Sequence, residues 1–319
     1  MTDLARAADR WRNEGWVLID GLIPADEIAA AAAEIEGRRL DPPTGQGPLR
    51  RADANRRPAA VDDEEPAFRE EQFAGTVLFP IPDAPNLNRL FVHPRLVAFA
   101  VAALGADDLR IYQSRVWSKF GEVANYEQPL HRDLNHSLVP TSSEERWRFL
   151  ECFLYLGDVD ESNGAPRIVA ASDAVAAKAP TGRSSVDRAA KPDLYEAAVP
   201  AVGSAGSLLA YGPDVWHRGI DIAPGSDRHI AVVAFKPAGF DWVGFDAHSP
   251  LVNNADFVHF AATCTPAELA LFGVPLPGHP IWTAAMVDGL TEMYPGLDVE
   301  PWRLAVANSE NPADATKGA

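Results

Sequence analysis

Three residues near the middle of the chain have the types and spacing of metal ligands. His131 and Asp133 flank Arg132 in a short H-x-D sequence. In an extended segment, residues i and i+2 point to the same face, so this imidazole and this carboxylate can reach one ion together. One more histidine would complete a two-histidine, one-carboxylate facial triad, which leaves positions open for other ligands and is typical of non-haem iron(II) oxygenases. An H-x-D sequence alone occurs in many unrelated chains, so the interpretation depends on a distant partner.

The candidate partner is His217, which follows an apolar run and lies 86 residues beyond His131. Arg228 comes eleven residues after His217 and opens the next apolar run. If these two runs pair as antiparallel strands, His217 and Arg228 face the same interior. An arginine inside a barrel is costly unless it is paired, and a carboxylate is its natural bidentate partner. The alternative interpretation is a turn arginine paired with Asp221 or Asp227.

The secondary structure predicted around these residues changes along the chain from helices to strands. The first hundred residues predict helices, among them 94–104 with Gly105 as its C-terminal stop. Short runs rich in aromatic and β-branched residues then predict strands at 109–119, 147–156, 207–211 and 229–235. Helices first and strands later indicate an α+β, mainly β arrangement, with helices packed on a sandwich or barrel. Between about 40 and 72, proline, glycine and mixed charges predict a long lid-like loop.

Composition narrows the class of function. The 319 residues are 47% hydrophobic and 23% charged, which excludes global disorder. The net charge of −17 argues against nucleic acid as a partner, because phosphate recognition needs a basic surface. Two cysteines cannot build a disulfide framework. We find no signal peptide and no apolar run long enough for a membrane span, and therefore expect a cytoplasmic protein without a membrane partner. The oligomeric state stays open.

Taken together, the separated motifs resemble the phytanoyl-CoA dioxygenase family of iron(II)- and 2-oxoglutarate-dependent oxygenases. The resemblance runs from about residue 10 to 237, with several motifs in the same order along the chain. The motifs are 14–24, 93–96, Gln113, the H-x-D at 131–133, the loop 163–169, His217 and Arg228. This family resemblance implies a double-stranded β-helix, that is, a cupin-like jelly-roll core flanked by N-terminal helices.

The resemblance also implies roles for individual residues. His131, Asp133 and His217 would bind iron(II), and Arg228 would bind the distal carboxylate of the cosubstrate 2-oxoglutarate, with O2 as the second cosubstrate. Gln113, eighteen residues before His131, would donate a hydrogen bond to 2-oxoglutarate. Two departures stand out: the sequence Ala-Ala-Ser-Asp at 170–173 replaces the usual P-G-S-H, and Gly219 stands where members often have a serine that supports the cosubstrate carboxylate.

The function that follows is a dioxygenase that hydroxylates a small organic molecule and releases succinate and CO2. Desaturation and ring closure begin from the same hydrogen abstraction and stay open. Two rivals remain: a cupin-like metal-dependent isomerase or hydrolase that uses the same three ligands without 2-oxoglutarate, and a non-catalytic binding scaffold. For the domain organisation we expect an oxygenase domain at 1–237, a C-terminal extension at 238–305 packed on the core, and a disordered tail at 306–319.

Overall fold

Helices dominate both ends of the chain in the computed structural model, which describes residues 3–36, 75–121, 127–138, 144–180, 185–246 and 254–310. The predicted lid-like loop lies outside these described residues. The helices are α1 (Asp3–Glu14), α2 (Ala25–Glu36), α3 (Pro85–Leu90), α4 (Pro94–Leu104), α5 (Ala171–Ala176), α6 (Pro192–Glu196), α7 (Ala255–Ala261), α8 (Pro266–Ala270), α9 (Ala284–Met293) and α10 (Glu300–Glu310).

Between these helices lie two antiparallel sheets. Their strands are β1 (Trp16–Ile19), β2 (Thr76–Leu78), β3 (Leu109–Phe120), β4 (Leu130–His131), β5 (Leu150–Tyr155), β6 (Arg167–Ile168), β7 (Ser185–Val186), β8 (Val199–Pro200), β9 (Leu208–Tyr211), β10 (His217–Arg218) and β11 (Asp227–Pro237). The major sheet has the order β1-β9-β5-β11-β3-β2 and the minor sheet the order β7-β4-β10-β6-β8. Non-consecutive strands lie side by side in both sheets, as in a jelly roll. The predicted α+β fold with a double-stranded β-helix core is confirmed.

The long strands β3 and β11 are antiparallel neighbours in the major sheet, which separates two packed layers. Along β11, Ile230 and Val232 belong to an interior cluster that also contains Ile168 of the minor sheet. The alternate residues Ala231 and Val233 belong to the main hydrophobic core instead. This alternation is what a strand buried on both faces requires. It fixes which side chains of β11 face the space between the sheets.

A β-bulge interrupts the pairing of β3 with β11. Ala234 pairs with Gln113, whereas its neighbour Phe235 pairs with Ile111, so Tyr112 is the extra residue. A bulge redirects the side chain of the inserted residue. Here it turns the Tyr112 hydroxyl towards Glu151 of β5, to which it donates a hydrogen bond.

Helix α4 covers the outer layer of the major sheet, and its local sequence explains its bounds. Pro94 occupies the first turn, where no backbone N–H is needed, and the His93 ring accepts the Arg95 N–H at 3.2 Å. Gly105 ends the helix with φ 62°, in the left-handed region that glycine tolerates. The apolar face of the helix, including Phe99, is fully buried.

The C-terminal helices α7 to α10 share the main hydrophobic core with α3 and α4. Phe79 lies edge-on to Phe260 at 5.0 Å and stacks on Phe272 at 5.2 Å between ring centroids. The prediction of a disordered tail from residue 306 is wrong for 306–310. Helix α10 continues to Glu310 because Trp302 and Val306 bury their side chains against the core. Residues 311–319 lie outside the described part of the chain.

One segment, Pro85–Leu104, has the length and hydropathy of a membrane span, although the sequence prediction found none. It comprises helices α3 and α4, and a turn separates them. Leu87, Phe91 and Leu96 from this segment are buried in the main core. Core helices of folded domains commonly have this hydropathy, so the feature is weak evidence for a membrane.

The burial of α10 leads to a stability prediction. Trp302 is fully buried and its indole N–H donates to the Pro275 carbonyl at 3.1 Å, so Trp302→Ala should lower the free energy of unfolding by about 3–5 kcal/mol. The matched control is Leu304→Ala in the same helix, which is exposed and should stay within about 0.5 kcal/mol of the parent. Urea denaturation measures both. Equal effects of the two substitutions would mean that α10 does not belong to the core.

Candidate active site

The structure brings His131, Asp133 and His217 together between the two sheets. Strands β4 and β10 are antiparallel neighbours in the minor sheet, and His217 lies directly opposite His131. Asp133 follows β4 at the start of a short 3-10 turn. Its carboxylate lies 3.4 Å from His217 Nε2 and 3.9 Å from His131 Nε2. The ligand atoms of all three residues lie within 4.8 Å of one another.

Both imidazole rings are oriented by their own backbones. His131 Nδ1 lies 2.9 Å from the Pro129 carbonyl oxygen, and His217 Nδ1 lies 3.0 Å from the Val215 carbonyl oxygen. A carbonyl only accepts, so each Nδ1 carries the hydrogen and each Nε2 presents its lone pair to the shared space. This is the arrangement that metal-binding histidines usually have. Donor atoms that share one ion at about 2 Å lie roughly 3–4 Å apart, so the three side chains fit a divalent metal.

The electrostatics of the cluster favour an ionised carboxylate at Asp133 and a neutral imidazole at His131, whereas they favour a proton on His217. Burial alone would raise the pKa of Asp133, but the neighbouring His217, His136 and His131 outweigh it and lower the pKa. Burial, and then the proximity of His217, lower the pKa of His131 to about 4. Burial opposes protonation of His217 too, yet the Asp133 carboxylate raises its pKa. A cation bound at Nε2 would take the place of the proton on His217.

Arg228 and Gln113 lie on the major sheet, opposite the three clustered side chains. Arg228 precedes Ile230 by two residues and therefore shares the inward face of β11. Its side chain is buried and donates to the Gly164 carbonyl oxygen. Gln113 lies on β3 and is buried, and its carbonyl oxygen has no hydrogen-bond partner in the described part of the chain. These placements keep both residues as candidates for cosubstrate contacts.

Tyr211 of β9 connects the major sheet to the three clustered side chains. Its hydroxyl donates to Asp133 Oδ2 at 3.4 Å, and its ring centroid lies 4.5 Å from that of His217. Tyr211 also belongs to the interior cluster with Phe153 and Ile230. The inward face of the major sheet is therefore in contact with the candidate metal ligands.

A second buried polar cluster adjoins Asp133, and sequence reasoning missed it. Glu151 Oε1 accepts hydrogen bonds from the Tyr112 hydroxyl and, at 2.7 Å, from His136 Nδ1. Glu151 and His136 are both buried. One available signal was an acidic residue inside an apolar run, Leu150-Glu151-Cys152-Phe153, because charges are rarely buried unless paired.

The ion pair between His136 and Glu151 predicts how the pKa of His136 responds to substitution. Burial alone would lower the pKa of His136, but Glu151, followed by Asp133, raises it. Because the folded-state pKa is raised, the resulting stabilisation is present below about pH 6.5 and fades as pH rises through the folded-state value. Glu151→Gln should therefore lower the pKa of His136, which NMR titration of the metal-free protein measures. The exposed Glu300→Gln serves as control, and an unchanged pKa in Glu151→Gln would refute the pairing.

A cavity of about 380 Å³ lies at the end of the major sheet where β3 ends and β11 begins. It is bordered by Arg228, Phe120, Asp158, Asn163 and Ile35, among others. None of the three clustered side chains lines it. The cavity is therefore separate from the three clustered side chains, although Arg228 borders it.

Comparison with known proteins agrees with this geometry. The family model described as phytanoyl-CoA dioxygenase matches residues 11–230. The chain belongs to the phytanoyl-CoA dioxygenase family. Members of this family use iron and 2-oxoglutarate, and the candidate His131, Asp133 and His217 lie within the matched region. No curated protein is significantly similar in sequence.

Solved structures of related fold include two with informative names. The first is the epimerase SnoN from nogalamycin biosynthesis in complex with Fe3+, alpha-ketoglutarate and nogalamycin RO, with 21% identity, a TM-score of 0.50, and coverage of 74% of this chain and 84% of SnoN. The second is the apo form of EctD from S. alaskensis, with 19% identity, a TM-score of 0.53, and coverage of 74% and 77%. At these identities the similarity establishes the fold alone.

Proposed function

We propose that this protein hydroxylates a small organic molecule with iron(II), 2-oxoglutarate and O2, releasing succinate and CO2. The observation that carries the proposal is the convergence of His131, Asp133 and His217, with both Nδ1 atoms held by backbone carbonyls and both Nε2 atoms directed inward. Membership of an iron- and 2-oxoglutarate-dependent family supports it.

Different residues of the site would bind the metal and the cosubstrate. His131, Asp133 and His217 would hold the iron through their inward-directed donor atoms, a donor set that is typical of non-haem iron oxygenases. Arg228 binds the distal carboxylate of 2-oxoglutarate as a bidentate donor. When bound, iron and 2-oxoglutarate supply oxygen activation coupled to decarboxylation, with one oxygen atom going to succinate and the other to the substrate. The surrounding aromatic side chains, including Tyr211 and Phe153, limit the access of water.

The rival without a cosubstrate is a cupin-like isomerase or hydrolase. Such an enzyme would not need a buried arginine on the inward face of β11, facing the same interior as the metal ligands. The buried Arg228 therefore favours the oxygenase, as does the family match.

An anaerobic titration tests the proposal. Iron(II) and then 2-oxoglutarate are added to the metal-free protein while the weak visible charge-transfer band of the chelate is followed. We expect a band that needs both additions and is lost in His217→Ala. Iron binding without any band would favour the rival, and absence of iron binding would favour a non-catalytic scaffold.

The mass of the product then distinguishes hydroxylation from desaturation and epimerisation. A hydroxylated product carries one additional oxygen atom, a desaturated product has lost two hydrogen atoms, and an epimer has the mass of its substrate. We expect the first. The substrate is sought by adding the compounds of a small-molecule library one by one. A compound that raises the rate of succinate release above the rate without substrate is a candidate substrate.

A further inference from the structure

A second buried cation lies beside Arg228. Lys119 of β3 is directly opposite Arg228 of β11 and is fully buried. Residues directly opposite in an antiparallel pair have Cβ atoms about 5 Å apart on the same face of the sheet. Lys119 therefore shares the inward face with Arg228, two residues beyond Trp117, which packs against the interior cluster.

The Lys119 side chain crosses from the major sheet to the minor sheet. Its ammonium donates to the Ile220 carbonyl oxygen and lies 3.4 Å from the point where a Cβ on Gly219 would be. Gly219 follows the candidate ligand His217 by two residues. The ammonium thus lies beside the chain segment that carries the candidate ligand His217.

The surroundings of Gly219 explain its lack of a side chain. The Gly219 N–H donates to Gln128 Oε1 at 2.9 Å, and the Gln128 N–H donates to the Gly219 carbonyl oxygen at 2.9 Å. A Cβ on Gly219 would approach Gln128 Oε1 to 2.7 Å, which is too close for an ordinary contact. Gln128 and Lys119 together occupy the space that a side chain at 219 would need. Lys119 therefore places a charged hydrogen-bond donor beside residue 219, which has no side chain of its own.

Two cations in adjacent buried positions are complementary to an anion. Burial, and then the charge of Arg228, lower the pKa of Lys119 to about 6, while Asp221 and Glu127 act in the opposite direction. An anionic group that enters beside both side chains would relieve the repulsion and favour the charged lysine. Arginine offers a planar pair of donors and lysine a compact point charge, so they can approach one carboxylate from different directions.

We propose that Lys119 and Arg228 together bind the distal carboxylate of 2-oxoglutarate, and that Lys119 makes the site selective for 2-oxo acids that carry this second carboxylate. This inference rests on the proposed function. Lys119 is then a binding residue for the cosubstrate.

The test compares two cosubstrate probes in the anaerobic iron(II)-loaded enzyme. One is 2-oxoglutarate and the other is 2-oxopentanoate, which has the same chain length but lacks the distal carboxylate. Lys119→Met should raise the Kd for 2-oxoglutarate about 10- to 100-fold, as expected for a lost charged hydrogen bond. The Kd for 2-oxopentanoate should change less than about twofold. The charge-transfer band reports both constants without turnover.

Matched variants separate binding from folding. Lys119→Gln keeps a donor for the Ile220 carbonyl oxygen but removes the charge, so it should show the same selective loss even if Lys119→Met folds poorly. Lys236→Met removes a lysine of β11 that is partly buried and donates to the Phe240 carbonyl oxygen, and it should leave both constants unchanged. The rise in Tm on adding 2-oxoglutarate to the iron-loaded protein should shrink in the two Lys119 variants only.

Failure of the inference about Lys119 can be distinguished from failure of the proposed function. Equal weakening of both probes in both Lys119 variants would show a structural role, and unchanged constants would show that Lys119 does not touch the cosubstrate. Either result overturns this inference while the parent enzyme still forms the band. If the parent enzyme forms no band with either probe, the proposed function itself fails.

Discussion

Asp133→Ala is expected to abolish turnover and to weaken iron(II) binding more than about 100-fold. Asp133 is the only carboxylate among the three clustered side chains, and it lies 3.4 Å from His217 Nε2. Loss of a group behind a metal ligand already costs 10- to 100-fold in affinity, so loss of a ligand should exceed that. Isothermal titration with iron(II) under anaerobic conditions measures the binding.

The control for this prediction is Asp193→Ala, an exposed aspartate at the start of α6. It should bind iron(II) and turn over like the parent. Circular dichroism should show the same secondary structure in both variants, because Asp133 lies in a short turn outside the main core. Full turnover by Asp133→Ala would show that the ligand assignment is wrong.

Arg228→Gln should raise the Kd for 2-oxoglutarate by about 100-fold or more while leaving iron(II) affinity nearly unchanged. The guanidinium can make two charged hydrogen bonds to one carboxylate, each worth about 1.5–3 kcal/mol. The side chain belongs to the major sheet, whereas the three candidate ligands come from the minor sheet and the turn after it. The loss should therefore be confined to the cosubstrate.

Arg110→Gln is the matched control, since Arg110 lies on β3 and pairs with the exposed Asp108. Its affinity for 2-oxoglutarate should equal that of the parent. A parent-like affinity in Arg228→Gln would remove the main argument against the isomerase or hydrolase rival.

Much of the site was predictable because its motifs are local in the sequence or follow one another in an order that the family shares. The H-x-D sequence, the distal His217 and Arg228 at the start of an apolar strand could be found by type and spacing. The helix at Pro94–Leu104 was predictable because both of its ends carry a local signal, Pro94 and Gly105. The long strands were predictable because aromatic and β-branched residues fill them.

The rest depended on the pairing of strands, which spacing does not reveal. Lys119 becomes a neighbour of Arg228 only through the register of β3 with β11. The bulge at Tyr112 shifts that register by one residue, so simple alternation misplaces the inward face beyond it. The two-residue strands of the minor sheet are too short for any periodicity to show. Glu151 and His136 meet only because the turn after Asp133 brings His136 against β5.

Because the strands of the minor sheet are short, a bound metal would have a second role, which is to hold their register. Strands β4 and β10 comprise two residues each, yet they carry two of the three candidate ligands in direct opposition. A slip by one residue would turn His131 to the other face of the sheet and break the cluster. A bound ion would oppose that slip, because it binds only the correct register. Loading the metal should therefore slow amide exchange in β4 and β10 far more than in the long strands β3 and β11.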